Sequence, residues 1–89
     1  MTKDHFNFVY SKLDSSVFVG DNHFTDELLD VNISDLYIEP NQYIGVKSFW
    51  VCADMSLTND QDYVICKVKN FEDALRIIWY FQETELLFS

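Results

Sequence analysis

The segment NFEDALRIIWYFQE, residues 70–83, constrains the fold more than any other part of this chain. At roughly 100° per residue, Phe71, Ala74, Leu75, Ile77, Ile78 and Phe81 fall on one side of a helix. Glu72, Asp73, Arg76, Tyr80 and Glu83 fall on the other, with Trp79 at the boundary. Asn70 suits the N-cap, and the acids that follow suit the first turn. A helix over about residues 71–84 needs an apolar surface to cover, and the preceding chain supplies one. Tyr43 to Met55 is rich in β-formers, Asp62 to Lys69 alternates, and SLTNDQ between them has turn composition. The reading is a hairpin over 43–69. A centre near Asn59 sets Cys52 opposite Cys66 and Val51 opposite Lys67. Strands followed by a covering helix define an α+β fold: a small antiparallel sheet built on the hairpin and packed against the C-terminal helix. The 89 residues make one domain, 1–89.

The first 42 residues are less periodic. Phe6, Val9, Tyr10 and Leu13 fit a helix, whereas Phe6, Phe8 and Tyr10 fit a strand. Thr2 as N-cap and Lys12 at the C-terminus favour the helix. SVFVG reads as a short strand ended by Gly20. Thr25 with Asp26 and Glu27 reads as the start of a two-turn helix ending near Asn32. ISDLYIE reads as extended chain stopped by Pro40. The tail ELLFS either extends the last helix or returns as a strand.

Charge is the second strong signal. DELLDVNISDLYIEP, residues 26–40, holds Asp26, Glu27, Asp30, Asp35 and Glu39 and no base. From Leu13 to Val46 there is no Lys or Arg, while Asp14 and Asp21 raise the acids to seven. The whole chain carries −9, with 15 acids against 6 bases. Hydrophobic residues at 48% and aromatics at 17% separate it from disordered acidic tails. Direct nucleic-acid binding needs a basic patch, which this composition lacks. The natural complement is a basic protein surface. The plainer alternative is a solubilising face. On a helix Asp26 and Asp30 lie about 6 Å apart along the axis. On a strand Asp35 and Glu39 share a face at roughly 13 Å. Such spacings imitate a row of phosphates.

In size, charge and aromatic content the chain resembles the small acidic inhibitors encoded by phages, the DNA mimics that act on restriction enzymes, histone-like proteins or CRISPR effectors. The likeness is one of gross character and carries no motif, so no residue role is transferred from it. It implies inhibition of a nucleic-acid-binding or nucleic-acid-processing protein by occupation of its basic phosphate-binding surface. The residues expected to meet that partner are Asp21, Asp26, Glu27, Asp30, Asp35 and Glu39, with Tyr80 as an outward aromatic anchor. The alternatives are an immunity or antitoxin-type inhibitor of a basic toxin, and a non-inhibitory interaction module. A homodimer through the aromatic face is also open.

Catalytic signatures are missing: there is no G-x-S-x-G, P-loop or H-E-x-x-H. GDNHFTDE lacks the order of a calcium loop. His5, His23, Cys52 and Cys66 lack the paired spacing of zinc ligands, and they read as surface histidines and core thiols. The expectation is a non-enzymatic protein without cofactor or metal, its cysteines free in a reducing compartment. MTKDHFNFVY has no long apolar run and no segment reaches membrane-spanning length. A cytoplasmic protein is therefore expected, in the host cytoplasm if a phage encodes it.

Overall fold

The computed structural model describes residues 1–55 and 61–89. Helix α1 (Lys3–Ser11) opens the chain, capped by the Thr2 hydroxyl, which accepts the His5 amide. Three 3₁₀ turns follow, Ser15–Val17, Asp26–Asp30 and Ile33–Asp35. Strands β1 (Leu36–Tyr43), β2 (Val46–Ala53) and β3 (Tyr63–Val68) form an antiparallel meander in that order. Helix α2 (Phe71–Glu83) then packs across all three strands and against α1. The tail ELLFS continues as a 3₁₀ turn, Glu85–Leu87. The α+β architecture read from the sequence is the observed one.

The expected hairpin gains a third strand, because the chain does not stop at Pro40. β1 runs through it and turns into β2 at Ile44 and Gly45, both with positive φ (52° and 76°). A two-residue turn of this kind closes on a hydrogen-bonded pair, here Tyr43–Val46. Alternation then makes Pro40–Phe49 a non-hydrogen-bonded pair. The amide that Pro40 lacks would point away from β2, and β1 is an edge strand, so nothing is lost.

The β2–β3 register is one residue from the expected one up to Val51 and two residues from it nearer the turn. Val51 faces Cys66, Trp50 faces Lys67, and a bulge after Val51 sets Cys52 opposite Val64. Cys66 thus shares the core side with Val51, and Cys52 points to the other face. The SLTND part of the expected turn lies outside the described residues.

SVFVG is not a full strand. The Asp14 carboxylate accepts the Ser16 amide at 2.8 Å, which draws Ser15–Val17 into a turn. A single bridge, Phe18 to Val68, survives. The expected helix after Thr25 is a 3₁₀ turn whose N-cap hydroxyl makes no capping bond.

The core joins Phe6 and Val9 of α1, Val51, Ile65 and Val68 of the sheet, and Ile77 and Phe81 of α2. Leu28, Val31 and Ile33 seal it from the 3₁₀ segments. α2 is rotated relative to its sequence pattern. Phe71 and Leu75 are exposed, whereas Asp73 is buried and Tyr80 is half-buried against the core. The cause is a second neighbour. The His5 ring of α1 meets Phe81 at 5.1 Å and the Thr84 hydroxyl at 2.8 Å, which draws the helix toward that side. The amide of Asn70 and the guanidinium of Arg76 hold the Asp73 carboxylate at 3.4 and 3.3 Å. His5, read as a surface histidine, is buried, with Phe88 stacked on it at 4.6 Å.

Candidate protein-interaction surface

The acidic segment 14–39 folds by local polar bonds and single apolar anchors. Besides Asp14, the Asn32 side chain accepts the Ser34 amide at 3.2 Å. Asn22 accepts the Lys67 amide at 2.9 Å and donates to the carbonyls of Val19 and Gly20. That pins the loop carrying Asp21 to β3. Leu28, Val31 and Ile33 point inward. Asp14, Asp21, Asp26, Glu27, Asp30, Asp35 and Glu39 are all exposed, and none is in a salt bridge among the described residues. The 3₁₀ geometry changes their pairing. With three residues per turn, Glu27 and Asp30 share a side about 6 Å apart, and Asp26 no longer sits over Asp30. Asp35 ends a 3₁₀ turn, so only Glu39 lies on the strand, and the expected common strand face is not formed. The carboxyls of Asp14 and Glu27 are held below their ordinary range by hydrogen bonds. For Asp14 these come from the Ser16 amide and hydroxyl, for Glu27 from its own amide and the Thr25 hydroxyl.

Two open clefts extend the belt to acids that the sequence reading passed over. One, of about 320 Å³, sets Glu27 with Asp62 and Tyr63. Asp62 accepts the Tyr37 hydroxyl at 2.6 Å and the Met55 amide at 3.0 Å. The same bonds lower its pKa, and the hydroxyl bond to Asp62 raises that of Tyr37. Glu39 follows Tyr37 on the same face of β1, so the tyrosine that Asp62 holds stands between the Glu27–Asp62 cleft and Glu39. The other cleft, about 300 Å³, sets Asp30 with Glu85, His5 and Phe88. The Met1 ammonium there donates to the Val31 carbonyl at 2.6 Å.

Four of the six basic side chains are placed away from the belt. The Lys67 ammonium lies 4.8 Å from the Tyr43 ring and 4.9 Å from that of Trp50, on the sheet face opposite α2. Lys12 lies over Phe8 at 4.7 Å and Lys47 over Phe49 at 5.7 Å. Arg76 is on Asp73. Ring faces hold these cations through the aromatic quadrupole, and the belt keeps its charge.

The expected roles of Tyr80 and Trp79 exchange places. Tyr80 packs on the core, and Trp79 is the exposed ring, 54% accessible. The thiols are poor nucleophiles. Burial, then the Glu39 carboxylate, pushes Cys52 up to about 11, and burial pushes Cys66 up to about 12. Among the described residues no three His, Cys, Asp or Glu side chains converge so as to hold a metal, and no helix is long and apolar enough to cross a membrane.

The residues missed were Asp62, Glu85 and the Tyr43–Trp50–Lys67 cluster. The cluster was readable in principle, since Tyr37, Glu39, Asn41 and Tyr43 alternate along β1. Finding it required knowing that β1 passes Pro40. Fold and surface together define a small acidic α+β protein whose negative charge is concentrated on turns and three of whose lysines, Lys12, Lys47 and Lys67, lie on rings. Comparison of the chain with protein-family models, with curated proteins and with solved structures finds no match.

Proposed function

We propose that this chain is an acidic binding protein that inhibits a nucleic-acid-binding or nucleic-acid-processing protein by occupying its basic phosphate-binding surface. One observation carries the reading. Seven carboxylates stand exposed and outside salt bridges among the described residues, while Lys12, Lys47 and Lys67 lie on aromatic rings. Those three lysines are held off the acids, which leaves most of the belt without a cation of its own. A partner that brings Lys and Arg to Glu27, Asp30, Glu39 and Asp62 recovers the missing ion pairs, and the negative field speeds its approach. No nucleophile or metal centre enters this reading, and the work is done by binding alone.

The test is capture. The protein is immobilised and exposed to a bacterial extract depleted of nucleic acid. Bound proteins are then eluted with duplex DNA or with rising salt. The expected eluate is a nucleic-acid-binding protein released by both, and its activity on DNA or RNA is blocked by the free chain. A partner that is retained in excess DNA and at high salt contradicts the reading.

A further inference from the structure

On α2 the fold leaves Phe71, Leu75 and Trp79 uncovered, with exposures of 48%, 48% and 54%. Their i, i+4, i+8 spacing makes one row, about 12 Å long at 1.5 Å per residue. The row is symmetric about Leu75, with an aromatic ring four residues to either side. Its charges are not symmetric. Near the Phe71 end stands Lys47, over the Phe49 ring that meets Phe71 edge-on at 5.7 Å. Beyond Trp79 stands Glu83. Along the flank run Glu72 and Arg76.

We propose that this row is a self-association surface, on which two copies of the chain pair through antiparallel α2 helices about a twofold axis at Leu75. The pairing sets each Phe71 against the Trp79 of the second copy and Leu75 against itself, the self-complementary contact that a twofold demands. It also brings each Lys47 toward a Glu83 and each Arg76 toward a Glu72, so the unlike ends meet. A parallel pairing would instead oppose like charges. A standard interface covers about 800 Å² on each partner, and three half-exposed side chains supply only its centre. The dimer is therefore weak and depends on concentration.

This contact is independent of the carboxylate belt, and salt separates the two. Each copy carries −9, so self-association strengthens as salt screens the repulsion, whereas binding to a basic partner weakens.

Sedimentation equilibrium of the whole chain at low and moderate salt, up to about 1 mM, is the test. The parent should shift from monomer to dimer, more so at the higher salt. Leu75→Glu and Leu75→Lys should each weaken the dimer at least about tenfold while circular dichroism keeps the parent helix signal. An equimolar mixture of the two variants should dimerise again, because a residue on the twofold meets its own counterpart. A parent that stays monomeric throughout, a Leu75→Glu variant that dimerises like the parent, or a mixture that stays monomeric would each overturn the proposal.

Discussion

The stretch 14–39 and the stretch 43–83 are built by different means. The later stretch rests on periodicity. Two strands and a helix present apolar residues at the spacing of their own geometry, and the core forms where those faces meet. The earlier stretch rests on 3₁₀ turns, side-chain bonds to backbone amides, and one apolar anchor at a time. The charges divide along the same line. The acids of the first stretch are solvated, while Lys47, Lys67 and Arg76 of the second lie on rings or on Asp73. Short turns suit a charged segment because each exposes most of its side chains, and the stretch buries single apolar residues such as Phe18, Leu28, Val31 and Ile33. A long helix or strand would have demanded a continuous apolar face. The acidic half is thus attached to the core at points, and its surface is free for another use.

Core truncations probe this contrast most strongly. Phe81→Ala, in the periodic half, should cost about 3–5 kcal/mol in urea unfolding. Leu28→Ala removes one of the point anchors and should cost about 2–5 kcal/mol. Its amide exchange should also rise first between residues 26 and 35. If Leu28→Ala costs no more than a surface change, the acidic half is not held as described.

Gly20→Ala should have the next largest effect. Gly20 sits at φ +66°, and an added Cβ would lie 2.8 Å from the Tyr43 ring that supports Lys67. The left-handed conformation alone costs about 1–2 kcal/mol for a residue with a Cβ. The loss should appear as a lower urea midpoint, and an unchanged midpoint would mean that the Asp21 loop is not pinned against the sheet.

A smaller effect follows from pH. Burial, then the chain's own ammonium, lowers the His5 pKa below its ordinary 6.5. The unfolded chain therefore takes the proton first as pH falls. Stability is at its full value above about pH 6.5, declines below it, and levels off once the folded-state pKa is passed. Urea midpoints measured between about pH 7.5 and 5 should show this slope, and His5→Phe, which keeps a ring against Phe81 and Phe88, should flatten it. Equal slopes in parent and variant would exclude His5 as the source.

The sequence was most readable where one spacing dominates. Residues 43–83 disclosed the hairpin, the last helix and the α+β class. The rotation of α2 was hidden because its pattern does not record α1 as a second neighbour, so Asp73 and Tyr80 were placed outside and Phe71 inside. The register erred because the pairing next to the turn is two residues from the expected one, and the bulge after Val51 recovers only one of them. In the first half, Pro40 was taken as a stop although an edge strand tolerates it, and Asp14 turned an apparent strand into a turn. The seven belt acids were legible as exposed, since a carboxylate without a base avoids burial. Their neighbours in space, Asp62 and Glu85, were not, because both arrive from distant parts of the chain.

The central claim is that the belt serves a partner and not the fold. Changing Glu27, Asp30, Asp35 and Glu39 together to Asn or Gln separates these. Stability should move by no more than about 0.5 kcal/mol per site, because exposed substitutions away from packed features cost little. Association with the DNA-displaceable partner should slow by about tenfold or more at low salt, and the difference should shrink at moderate salt. The deciding measurement is the association rate of parent and four-fold variant at the two salt concentrations. A variant that binds as fast as the parent at low salt would reduce the belt to a solubilising face.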